Sequence, residues 1–447
     1  MTHSIIQKSR LEGALRLDAE YYQPEYFIDF SKGEWVTFGS QITCQYGLSL
    51  AMNDERVGSP MFKMDDINYG FLFDDKIRYA NVTENEFEQY ELNPNDVLFN
   101  RVNSEEFVGR TGIFKSDLKA VFASYLIRLK LSKGSKILAD YLNLFLNSKF
   151  GIKQIHRFAR RAVNQANVNA EELKQFKIAV LPVEFQRGIE KTSNEIWKGF
   201  QDSKKFYRQA EDLLLHDLGL KDFEENDDLF SIVNLSDVQK ANRIDAEFFQ
   251  TKYQKLIEVL KNKNKKSLTK VIENVAANFN PYLQPDKEFK YVELSDINSS
   301  IGTIESGNVI LGKEAPGRAK RLLKENDVII SSIEGSLEKV ALVSKDQMGF
   351  LASTGFYQFR SKEILPEVLL ILAKSIVLQW QFKQNCAGTI LTAVPAEALN
   401  QMIIPVLLMN VQQKIADLVK KSHSARQKSK ELLEEAKEKV EEMIEKG

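Results

Sequence analysis

"VNAEELKQFKIAVLPVEFQRGI" occupies Val168 to Ile189, and "VPAEALNQMIIPVLLMNVQQKI" occupies Val394 to Ile415. At an offset of 226 the two stretches share ten of 22 residues, where average residue usage would give roughly one or two by chance. Upstream, "RLDAEYYQPEY" (Arg16 to Tyr26) returns as "RIDAEFFQTKY" (Arg243 to Tyr253), with six of eleven positions identical at an offset of 227. Weaker echoes lie between these anchors: "MDDIN" (Met64 to Asn68) against "LSDIN" (Leu294 to Asn298), "NDV" at Asn95 and Asn326, and "AS" at Ala123 and Ala352. A period this long far exceeds the roughly 20 to 50 residues of a solenoid repeat, so each copy is a whole domain with its own core. A chain of 447 residues is also too long for a single core.

Within each copy, short runs punctuated by Gly, Asn and Asp read as strands: "DVLFNRV", "GRTGIFK" and "SYLIRLKL" in the first, "DVIISSI", "KVALVSK" and "GFYQFR" in the second. The stretches "KILADYLNLFLNSKFGIKQI" and "PEVLLILAKSIVLQWQFKQ" have the apolar spacing of amphipathic helices. The fold class is therefore mixed α/β (α+β), without the regular strand-helix rhythm of a doubly wound sheet.

Each copy ends in a long polar helix. Ile189, Ser193, Ile196, Phe200, Ser203, Tyr207, Ala210 and Leu214 step by fours and threes, and Ile415, Val419, Ser422, Arg426, Ser429, Leu433, Ala436 and Val440 repeat that register. Such spacing is that of a coiled coil, the alternative being a helix lying on its own domain, and a shared register favours two helices packed on each other as an antiparallel pair. Roughly thirty residues make a rod of about 45 Å, longer than one turn of DNA at about 34 Å. The expected division is 1–182 and 236–408 for the two α/β domains, with helical spacers at 183–235 and 409–447.

Hydrophobic residues make up 43% and charged residues 28%, as in a folded globular protein. The start carries no apolar leader and no run approaches a membrane span, so a cytoplasmic protein without membrane contact is expected. Cys44 and Cys386 lack metal-ligand neighbours and read as inert. A net charge of −1 argues against coating nucleic acid by bulk electrostatics but leaves room for local basic patches.

Motifs for chemistry are missing: neither a phosphate-binding P-loop nor a strand-linked GxGxxG occurs, and His3, His156, His216 and His423 are scattered. "NPYL" (Asn280 to Leu283) lacks the second proline of an amino-methyltransferase loop. Basic and amide-rich loops do stand out. "HRFARRAVNQANVN" carries Arg157, Arg160, Arg161, Asn164 and Gln165; Arg101, Asn103 and Arg110 lie beside strands; Arg318, Lys320 and Arg321 follow in the second copy. Arg and Lys suit phosphates, Arg also suits guanine, and Asn and Gln suit adenine edges, so these are the candidate DNA contacts. The competing reading for the first loop is a basic helix end. "KNKNKK" (Lys261 to Lys266) reads as a solvated helix end.

The anchors, together with the aromatic-glycine turn "YGLS" (Tyr46 to Ser49), "FKMDDIN" and "NDVLFNRV", resemble the specificity (S) subunit of type I restriction-modification systems. The resemblance spans nearly the whole chain. It implies two target-recognition domains, each reading one half of a split double-stranded DNA sequence, and paired helices that dock two methyltransferase (M) subunits, with restriction (R) subunits completing the complex. It implies no catalysis and no cofactor in this chain; S-adenosylmethionine and ATP with Mg belong to the partners. One departure is that Pro182 is matched by Leu408, although Gln186 is matched by Gln412. The alternatives are a DNA-independent twin-domain interaction scaffold and the specificity portion of a fused restriction-methylation enzyme. The repeated phrase itself reads as architectural, because Tyr21 and Tyr22 become Phe248 and Phe249: ring packing is kept and the hydroxyls are dropped. Its polar residues are expected to clasp each domain to the helical rods.

Overall fold

The computed structural model describes residues 5–9, 16–221, 223, 230–388 and 392–447. The chain divides into two compact units, Met1–Phe200 with Gln427–Gly447, and Gln201–Arg426. The division falls inside both long helices, Val183–Leu218 and Met409–Lys446.

The first unit is built on a sheet in the order Ile42–Tyr46, Leu126–Leu131, Val97–Asn100, Thr111–Ile113, Phe71–Leu72, Ile67–Asn68. The second unit repeats its first four strands as Ile272–Asn274, Phe356–Ser361, Asp327–Ser331 and Val340–Leu342, again antiparallel. A second sheet in each unit contains one parallel pair, Val121–Phe122 beside Ser59–Phe62 and Leu351–Ser353 beside Glu288–Val292. The central strands are continuous buried runs rich in Val, Ile, Leu and Phe, whose side chains fill the cores. Gly47 of the "YGLS" turn has a mechanical reason to be glycine: a Cβ there would lie 2.4 Å from the carbonyl oxygens of Phe122 and Ala123.

The stretches expected as amphipathic helices each break into two, Ala139–Leu146 with Lys149–Phe158 and Pro366–Lys374 with Ile376–Asn385. Glutamines hold equivalent joints in the two units. Gln154 bonds both the N–H and the C=O of Lys177 (2.7 and 2.8 Å), and Gln381 does the same to Ile403 (both 2.9 Å). Gln186 accepts from the Leu138 N–H at 2.8 Å and Gln412 from the Leu365 N–H at 3.0 Å, so the opening of each long helix satisfies an orphan donor of a shorter one.

Every seam residue named from the sequence is buried. In the first unit Ile189, Ile196 and Phe200 share a core with Leu433, Ala436, Val440 and Ile444; in the second, Tyr207, Ala210 and Leu214 share one with Ile415 and Val419. The beginning of one helix thus meets the end of the other, which is the antiparallel pair. Small residues let the backbones approach: the Ser422 hydroxyl donates to the Ser203 carbonyl at 2.7 Å. The first long helix stops at Leu218, short of 235. The "KNKNKK" run begins as the solvated helix end expected, with Lys261 closing the helix Thr251–Lys261, and then continues into a strand, Lys265–Ser267, paired with Ile403–Pro405.

Phe200 is fully buried, with its ring 5.5 Å from both Tyr69 and Phe73. Phe200→Ala is expected to cost about 3–5 kcal/mol, seen as a lower urea midpoint for the first unit, while Lys198→Ala on the exposed face of the same helix leaves the unfolding free energy within about 0.5 kcal/mol of wild type.

Candidate nucleic-acid interface

The repeated phrase forms a clasp in both units. Arg16 holds Asp18 through Nε and Nη2, both at 2.6 Å, and donates to the Phe158 carbonyl at 3.1 Å. Arg243 holds Asp245 at 2.8 and 2.9 Å and donates to the Cys386 carbonyl at 3.0 Å. Each arginine therefore sits at the C-terminal end of a short helix, where free carbonyls and the helix dipole favour a cation. The expected junction with the long helices is corrected: the clasp closes on the α/β unit itself. In the first unit the clasp reaches further, because Glu172 accepts from Arg16 at 3.4 Å and also binds Arg160. Both Arg160 and Glu172 become alanine in the second copy, Ala387 and Ala398, so the pair is lost together.

The basic, amide-rich segment after Arg157 is a hairpin rather than a helix end. Arg160–Ala162 pairs with Gln165–Asn167, and the latter pairs with Val102–Asn103. Val163 and Asn164 form the two-residue turn; Asn164 takes φ 61°, a left-handed value that Asn tolerates. Ala166 is fully buried and Arg161 shares its face, bonded to Glu105 at 2.7 Å. Arg160, Ala162 and Gln165 lie on the opposite, exposed face.

The structure thus brings together most of the first-unit candidates, while giving several of them internal work. The Arg157 guanidinium lies 4.5 Å from the Tyr21 ring centre and 4.8 Å from that of Phe27. Arg101 donates to the Ser124 carbonyl at 3.0 Å beside the Tyr46 ring. Asn103 accepts from the Ser104 N–H at 2.8 Å, and Arg110 stacks on Phe107 at 3.8 Å. Asn164 and Gln165 are exposed. In the second unit the candidates lie on a different element: Lys320 and Arg321 on the strand Ala319–Leu322, and Arg318 in the turn just before it. Arg318 is exposed and paired with Glu293 at 3.0 Å, and Lys320 is exposed. Arg321 is buried, donates to the Val275 carbonyl at 2.7 Å and is pushed below the usual arginine range by that burial, so it faces the interior. Sequence reading missed Val163, whose exposure of 92% only the turn geometry reveals. It also missed the carboxylates Glu105 and Glu172 that occupy the hairpin arginines.

Burial pushes the Cys44 and Cys386 thiols up to about 11, away from thiolate chemistry. Asn280 of "NPYL" accepts from the Tyr282 N–H at 3.1 Å and so organises a turn. Among the described residues no group of His, Cys, Asp and Glu could hold a metal ion, and no helix is long and apolar enough to cross a membrane.

No family model matches the chain. Over 147 residues, 32% of the chain, it is 31% identical to the type I restriction enzyme MjaX specificity subunit of Methanocaldococcus jannaschii, covering 34% of that protein. Over 172 residues, 38% of the chain, it is 27% identical to the type I restriction enzyme EcoKI specificity subunit of Escherichia coli, covering 36% of it. Each match spans about a third of the relative's length. Among solved structures, the S subunit of a type I restriction-modification system from M. genitalium aligns over 94% of this chain and 97% of that one, at 12% identity and a TM-score of 0.45. The HsdS subunit from Thermoanaerobacter tengcongensis aligns over 93% and 99%, at 12% identity and a TM-score of 0.28. The likeness to type I restriction enzyme specificity subunits, the family that the sequence motifs resemble, therefore rests on the two curated relatives.

The clasp makes a pH prediction. The Arg16 guanidinium holds the Asp18 carboxyl below its ordinary value. A depressed carboxylate contributes stability that is present above the ordinary value near 3.8 and is lost as pH falls through the depressed one. Asp18→Asn should therefore lower the urea midpoint at pH 7, with a gap that stays constant above the ordinary value and narrows as pH falls below it through the depressed one; a gap that does not narrow on acidification would contradict the clasp.

Proposed function

We propose that this chain is the DNA-recognising specificity subunit of a type I restriction-modification complex, in which each α/β unit reads one half of a split double-stranded target. The observation that carries this reading is the duplication itself. One strand order, one glutamine device and one clasp occur twice, each with its share of one antiparallel helix pair. A protein built twice over suits a target made of two half-sites and partners present in two copies.

In this reading two methyltransferase subunits dock on the long helices. Exposed apolar side chains at the helix openings, Val183, Leu408 and Met409, offer contact area there. S-adenosylmethionine would be bound by those subunits, and ATP with Mg by restriction subunits that join them. Catalysis is assigned to the partners, and this chain supplies binding and orientation. Its place of action would be the cytoplasm, where the DNA is. Base-edge contacts from loops would specify sequence while Arg and Lys fix position on the backbone.

The experiment is to map N6-methyladenine by long-read sequencing in cells that express this chain with a methyltransferase partner. A bipartite methylated motif that disappears when this chain is deleted is expected. Methylation that is unchanged by the deletion would favour the DNA-independent scaffold instead.

A further inference from the structure

We propose that the Arg160–Asn167 hairpin is a β-ribbon probe of the major groove, and that Val163 at its tip contacts a thymine methyl group beside an adenine read by Asn164 or Gln165. This rests on the DNA-reading role proposed above and assigns an A·T-containing step to the half-site of the first unit.

The ribbon is held firmly at its base and presented freely at its tip. Its second strand is paired on both sides, to Arg160–Ala162 and to Val102–Asn103, and Val168 donates to the Arg101 carbonyl at 2.9 Å just beyond it. Glu172 anchors Arg160 while serving as the third residue of a capping box with Asn169. Beyond these anchors Ala162, Val163, Asn164 and Gln165 are all exposed.

Val163 has no folding explanation. Two-residue turns favour Gly, Asn, Asp or Ser, and a β-branched residue there gains nothing unless its methyl groups are covered. With 92% of its surface exposed, it is covered by nothing among the described residues.

The charge arrangement then separates base reading from phosphate binding. Arg161 is held by Glu105, and the exposed Arg160 is paired with Glu172 at the base of the ribbon, so the tip beyond them presents amides and methyl groups. In the major groove, amides match the donor and acceptor pair of adenine, and apolar groups match the methyl of thymine. A two-stranded ribbon fits a groove about 12 Å wide. Neighbouring residues about 3.8 Å apart also match base pairs stacked about 3.4 Å apart, so Val163 and its neighbours can address successive pairs. The second copy has no Asn or Gln between Ala387 and Val394, and Ala387 and Ala398 stand for the anchoring pair; residues 389–391 lie outside the described set. Its half-site is accordingly read by other chemistry.

The test uses the full chain in complex with its methyltransferase partners and synthetic duplexes carrying the mapped motif. Thymines of the half-site are replaced one at a time by deoxyuridine, which lacks only the methyl group. Wild type should bind about fourfold more weakly at one such position, the value of one buried methyl group, and Val163→Ala should lose that dependence while melting at the wild-type temperature. Asn164→Ala or Gln165→Ala should relax the neighbouring adenine in the methylation map and leave the other half-site unchanged. If wild type binds the motif with no dependence on any thymine methyl, or if Val163→Ala keeps the same dependence, the ribbon assignment is overturned and the tip touches protein or nothing. If wild type binds no split motif at all, the broader DNA-reading role fails first.

Discussion

Everything in this fold depends on burying one antiparallel helix seam in two separate cores. Phe200 and Val440 close the first core, and Leu214 and Val419 close the second, so residues distant in sequence must meet before either unit is complete. The seam alternates large side chains with Ser203, Ala210, Ser422 and Ala436, which sets how closely the backbones approach. The two helices are thus parts of the domains as well as connections between segments.

What the two copies keep shows what the fold requires. The paired glutamines Gln154 and Gln381, and Gln186 and Gln412, each satisfy backbone groups that burial would otherwise leave unpaired, a loss that would cost about 1–3 kcal/mol apiece. The Arg-Asp clasp is kept for a similar reason, since it caps a helix end in both units. Among the differences between the copies are the pair of exposed Arg160 with buried Glu172 and the exposed hairpin tip of the first unit.

Much of this was legible in the sequence because internal repetition acts as a built-in comparison. The seam residues, the three principal strands of each copy and the architectural value of "RLDAEYYQPEY" followed from aligning the chain with itself. The candidate contacts were less legible, because residue type says nothing of partner. Arg157 packs on two rings, Arg321 faces the interior, and Arg160 and Arg161 are matched by carboxylates twelve and 56 positions away. Val163 carried no sequence signal, since an exposed valine and a buried one read alike until the turn is placed.

In the proposed reading, half-site identity would reside in the α/β units while the helix pair would set the separation of the half-sites. Seven residues inserted in register into both long helices would add about 10 Å of helix, close to three base pairs at about 3.4 Å each. The measurement is the methylated motif read from cells carrying that variant. The account predicts two unchanged half-sites separated by a longer spacer. A changed half-site with the original spacer would contradict it.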